Sequence, residues 1–142
     1  MSNSAGVSSE DLVVVAGVFR AVAEARSTFF SKVYAHAILR WPDVKSTVTL
    51  DLCTNKLETA STLHLALSVP RPDGTEVAWR LDLWIGPEVV SATGVVYATT
   101  SKRLVVDTHF ECTEEATGAA GAAELIRSMA ARVCAERRLL ES

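Results

Sequence analysis

Few side chains in this sequence of 142 residues are suited to chemistry, and the sequence places only one pair of them together. Arg71-Pro72-Asp73-Gly74-Thr75 carries Pro at the second position of a type I turn and Gly where a left-handed residue is required. That is the signature of a three-residue hairpin loop closed by a G1 bulge. Pairing Arg71 with Thr75 sets Val69 against Val77, Leu67 against Trp79, Leu65 against Leu81 and Leu63 against Leu83. All four pairs are apolar on one face, whereas a slip of one residue would put His64 opposite Leu81 and mix the faces.

The same register sets His64 across from Asp82, and Ala66 across from Arg80. A histidine held against a carboxylate is the material of a general base or an oriented metal ligand. Asp51 is expected on the same face to one side, with His109 and Glu111 further along the sheet. Cys53 or a nearby hydroxyl would have to be the nucleophile. No glycine-rich elbow, oxyanion-hole motif or second catalytic segment accompanies the pair. The simpler reading is a solvated sheet face with one cross-strand charge pair, worth a few tenths to about 1 kcal/mol.

Cys53, His64, His109 and Cys112 match no zinc spacing, and alternation sends some of them to opposite faces. No metal and no cofactor is therefore expected. His36 falls on a helical stretch with no partner evident in the sequence. Gly118-Ala119-Ala120-Gly121 lacks the Lys-Ser/Thr of a P-loop and the third glycine of a dinucleotide fingerprint. It reads as small residues for close packing. Trp79 falls on the apolar face, and Trp41 ends a helical region. Trp84 shares the polar face with Arg80 and Asp82, where a lone aromatic suits either a protein interface or cover by a loop or the first helix.

The elements around these residues follow from periodicity. Residues 1–8 are small and polar and are expected to fray. Ser8-Ser9-Glu10-Asp11 opens a helical region over 9–41, capped by serine with acids in its first turn. Its apolar stripe is Leu12, Val15, Phe19, Val22 and Ala23, then Phe30, Val33, Tyr34, Ala37 and Trp41. A break near Ser27-Thr28 is expected, and Trp41-Pro42 ends the region.

From 44 to 112 the period becomes 2. Val44, Val48, Leu50 and Leu52 alternate with polar residues, as do the two strands of the registered hairpin and Leu104, Val106 and Phe110. A weaker strand spans 89–99, where Gly94 marks a bulge or a close approach. Short connections favour an antiparallel meander of five strands. Residues 113–140 read as a final helix, capped by Thr113 or Thr117 with Glu114 and Glu115 in its first turn. Its apolar stripe is Leu125, Ile126, Met129, Val133 and Leu140.

Composition sets the outer bounds. The chain is 49% hydrophobic and only 6% aromatic, which excludes disorder and predicts a core of Val, Ala and Leu. Lys plus Arg is 14 and Asp plus Glu is 17, spread evenly, so neither a nucleic-acid footprint nor a polybasic membrane segment is indicated. Three widely spaced cysteines without a CxxC argue against a disulfide framework. Leu12–Phe19 is too short to span a bilayer, and its flanks are wrong for a signal peptide. The expectation is a cytoplasmic protein with free thiols.

The fold expected is a single two-layer α+β domain. N- and C-terminal helices cover the Leu50/Leu65/Leu81/Val106 face of the five-stranded antiparallel meander, since only that face is apolar enough. The function expected is a non-enzymatic protein-binding module of adaptor, chaperone-like or immunity type. It would use the polar face (Trp84, Arg80, His64, Asp82) or an edge strand, with another protein or a second copy as partner. The alternatives are an apolar-ligand domain with a helix–sheet cavity, and a small hydrolase or isomerase using His64 and Asp82.

Overall fold

The computed structural model describes residues 9–43, 47–55, 60–86, 88–100 and 106–141, with side chains described for most of them. The frayed start expected at 1–8, Val44 and Leu104 lie outside the described residues, as do the side chains of Leu12 and Val15.

The chain opens with helix α1 (Ser9–Phe29), passes through a π-helical turn (Phe30–Tyr34) and continues as α2 (Ala35–Arg40). The region is thus one helical run widened after Phe29, not broken at Ser27-Thr28. Thr28 Oγ1 donates to the Glu24 carbonyl at 2.9 Å, a side-chain bond that competes with the helical ladder just before the widening. Buried Phe29, Val33 and Ala37 follow at intervals of four, and the wider turn keeps them on one face.

The covered stripe of α1 is rotated from the one read in the sequence. Val18, Ala21, Val22, Ala25 and Phe29 are buried, while Phe19 is 57% exposed and Ala23 is also exposed. α1 packs chiefly on a second helix, α3 (Ala119–Ala135), which in turn lies on β3, β4 and β5. Ala21 and Ala25 give the close contact that two helix backbones require.

The sheet is an antiparallel meander in the order β1-β2-β3-β4-β5: Thr47–Asn55, Ala60–Pro70, Thr75–Ile85, Val89–Thr100 and Val106–Thr117. The β2–β3 hairpin has the expected register, with Val69↔Val77, Leu67↔Trp79, Leu65↔Leu81 and Leu63↔Leu83 all buried. Gly74 has φ of 89° in its loop, and Arg71 N donates to the Thr75 carbonyl at 2.7 Å. Trp79 is fully buried, and its indole N–H is satisfied by the Glu136 carbonyl at 2.7 Å.

The two edge strands depart from the reading. β5 runs on to Thr117, paired with Val89 of β4, so Thr113, Glu114, Glu115 and Thr117 are strand residues and not a helix start. α3 begins only at Ala119, after Gly118 with φ of 78°, and its N-cap makes no side-chain bond. A break at 136–137 then separates α4 (Arg138–Glu141). The expected stripe Leu125, Ile126, Met129, Val133 and Leu140 is buried.

Val106 is 57% exposed because the β4–β5 register shifts between Val96 and Tyr97. One extra residue reverses the alternation beyond it. Phe110 stands opposite core-facing Val96, but Val106 stands opposite Thr99 on the other face. Leu50 is 45% exposed at the β1 edge, where helical cover runs out. Among the described residues no helix is long and apolar enough to cross a membrane.

Candidate functional site

The polar sheet face is built from rows that run across the strands. His64 of β2 stands opposite Asp82 of β3, which stands opposite Thr93 of β4 and then Thr113 of β5; on the other side His64 stands opposite Asp51 of β1. The next row runs Thr49, Ala66, Arg80, Val95, Glu111. On the far side of the histidine, Cys53, Thr62, Trp84, Ser91 and Glu115 share a row. The described helices contact the opposite face, where Met129 and Val133 of α3 meet Gly94.

His64 and Asp82 do meet: Nδ1 lies 2.7 Å from Oδ1, with the side chains 37% and 28% exposed. Arg80 Nη2 donates to the same carboxylate oxygen at 3.0 Å. Tyr97 of β4 lies close enough to Arg80 to act on its guanidinium. Desolvation would lower the Arg80 pKa, but Tyr97 and the Asp82 charge hold the guanidinium above its ordinary value. Arg80 Nε is buried without a hydrogen-bond partner, a desolvation cost that the other guanidinium contacts must offset. Among the described residues no serine, threonine or cysteine hydrogen-bonds to the His64 ring.

Trp84 stands beside this cluster, 41% exposed. Its ring lies over Gly86. A β-carbon there would come 2.5 Å from Cη2, so only glycine leaves the indole in this position.

The remaining candidates do not join the cluster. His109 sits at the β4–β5 irregularity, with Nε2 3.2 Å from Asp107 Oδ2. Cys112 stands opposite Gly94 on the helix side and accepts from Arg132 Nη2 at 3.0 Å. Glu111 keeps its place on the polar face, in the adjacent row and three strands away from His64. His36 does have a partner: its Nε2 lies 3.1 Å from Arg137 Nη1, brought in from a hundred residues away by the docking of the C-terminal segment.

Three members of the site are not evident from the hairpin alone. Tyr97 and the Thr93–Thr113 hydroxyl pair, 2.9 Å apart, come from β4 and β5. The register of the β3–β4 pair, Ile85↔Val90, brings Tyr97 near Arg80. No family model, no curated protein and no solved structure matches this chain.

Proposed function

We propose that this chain is a protein-binding module and that its polar sheet face makes the contact. The observation that carries this is the pairing of Trp84 with the cluster beside it. A large aromatic stands exposed on a sheet surface of mostly short side chains, next to Arg80, Asp82 and His64 held in one hydrogen-bonded arrangement. Short, half-buried residues such as Ala66 and Ser68 let a partner come close to the backbone. Trp and Arg are the residue types that dominate binding energy at such surfaces. His64 and Asp82 then act as a specificity pair, with charge and hydrogen-bond donors in fixed positions, not as acid and base.

The test begins with capture of a stoichiometric protein from native lysate, identified by mass spectrometry. Trp84→Ala is expected to weaken binding of that protein by roughly tenfold or more. The unfolding midpoint should stay near that of the wild type, because the ring packs on Gly86 and not in the core. His64→Ala should have a smaller effect. Unchanged affinity in Trp84→Ala would remove this face as the site. A co-purified apolar small molecule with no protein partner would favour a ligand-binding role.

A further inference from the structure

The two edges of the sheet are unlike. β5 carries Asp107, Glu111, Glu114 and Glu115, its ladder is interrupted near Val96/Tyr97, and Arg132 of α3 reaches over it to Glu114. Charges and bulges are how sheet edges avoid pairing with another chain. β1 has no bulge and little charge. Its nine residues keep unbroken register with β2, contain no proline and carry one charged position, Asp51. Among the described strands, none pairs with its outer side.

The helical layer is also too narrow at this edge. Five strands make a layer roughly 24 Å wide, at the usual spacing of about 4.8 Å. Two packed helices cover about 20 Å of it. What remains is an open groove of about 460 Å³ between α1 and β1, walled by Phe19, Val22, Phe30 and Leu50 among others. Phe19 and Leu50 are two of the large apolar side chains most turned to water, at 57% and 45% exposure. An unguarded ladder and an unfilled apolar groove therefore lie side by side.

We propose that β1 pairs antiparallel with β1 of a second copy, about a two-fold axis through Leu50, joining two five-stranded sheets into one. Residues opposite one another in an antiparallel pair share a face, which restricts the register to steps of two. With Leu50 opposite the partner's Leu50, the Val48 position meets the partner's Leu52, and Thr49 meets the partner's Asp51. Apolar positions then meet apolar ones, and each carboxylate position meets a threonine. Centring the pair on Asp51 would oppose two carboxylates, which is unfavourable. Joining β1 to β5 of the next copy would set it against a row of carboxylates, and would leave free edges that grow without closing. The two-fold pair closes after two chains and leaves the guarded β5 edges outermost. It also brings a second Phe19 and Leu50 to the groove, so each copy covers the other's exposed apolar surface. This interface lies at an edge and does not use Trp84.

The test is sedimentation velocity on the full chain, with Leu50→Lys and Phe19→Glu as interface variants and Trp84→Ala as the control. The wild type should sediment as a dimer at roughly 100 μM, and each interface variant should raise the dimer Kd by about tenfold or more with an unchanged circular dichroism spectrum. Trp84→Ala should remain dimeric. A monomeric wild type at that concentration overturns the proposal, as does a dimer that survives Leu50→Lys but is lost in Trp84→Ala. Should Leu50→Lys fail to fold, hydrogen exchange on the wild type decides. Amides of Thr47–Asn55 must gain protection as concentration rises, and exchange in β1 that does not change with concentration refutes the pairing.

Discussion

Gly94 of β4 lies directly beneath Val133 of α3, with Met129 beside it. A β-carbon at Gly94 would come 2.9 Å from Met129 Sδ and closer still to a methyl of Val133. The glycine therefore sets how near α3 can lie to the sheet. Met129 can move its flexible end, but Val133 is branched at Cβ and fully buried. Gly94→Val should overpack this contact and cost about 1–3 kcal/mol. Denaturant unfolding checks it, and a midpoint equal to that of the wild type would contradict the close approach.

The core is tested by three truncations read together. Leu67 and Trp79 stand opposite each other and are fully buried. Each change to Ala should cost roughly 2–5 kcal/mol. Trp79→Ala also leaves the Glu136 carbonyl without its indole donor. Thr49→Ala lies on the exposed face and should be nearly silent. Equal unfolding midpoints for all three would overturn the assignment of faces.

The thiol of Cys134 is buried, and burial pushes its pKa up to about 12 despite the opposing charge of Arg137. The thiolate is the reactive form. Iodoacetamide at neutral pH should therefore leave Cys134 unmodified in the folded protein and alkylate it readily in denaturant. Peptide mass spectrometry reads the difference. Rapid native labelling of Cys134 would show that the α3 packing opens.

Acid sensitivity has a local source in the β2–β3 loop. Asp73 Oδ1 accepts from Thr75 Oγ1 at 2.6 Å and from Thr75 N at 2.9 Å. These bonds hold its pKa below the ordinary aspartate range. A carboxyl depressed in the folded state contributes stability that is present above its unfolded pKa and lost as pH falls through its folded one. The loss therefore sets in below about pH 4. Asp73→Asn should remove that part of the acid dependence. Parallel melting curves for variant and wild type across the acid range would show that the carboxylate contributes nothing.

What could be read from sequence was whatever rests on neighbours along the chain. The Arg71–Thr75 turn chemistry and the alternation on either side of it are local, and they sufficed to set Leu67 against Trp79 and His64 against Asp82. The five-stranded meander with a helix at each end followed from periodicity and short connections. The tertiary structure decided the features that depend on distant surfaces. Thr113–Thr117 became strand and not helix because β4 extends far enough to pair with them. Val106 turned outward because a single irregularity in that pairing reversed the alternation. Phe19 was left exposed while Val18 and Ala21 were buried, because the position of α3 chose which side of α1 would be covered. His36 met Arg137 only once separate elements had docked. Local patterns specify which elements form and which residues share a face. Which of several apolar faces is buried is settled by competition among all the surfaces at once, and that competition is not written in any one segment.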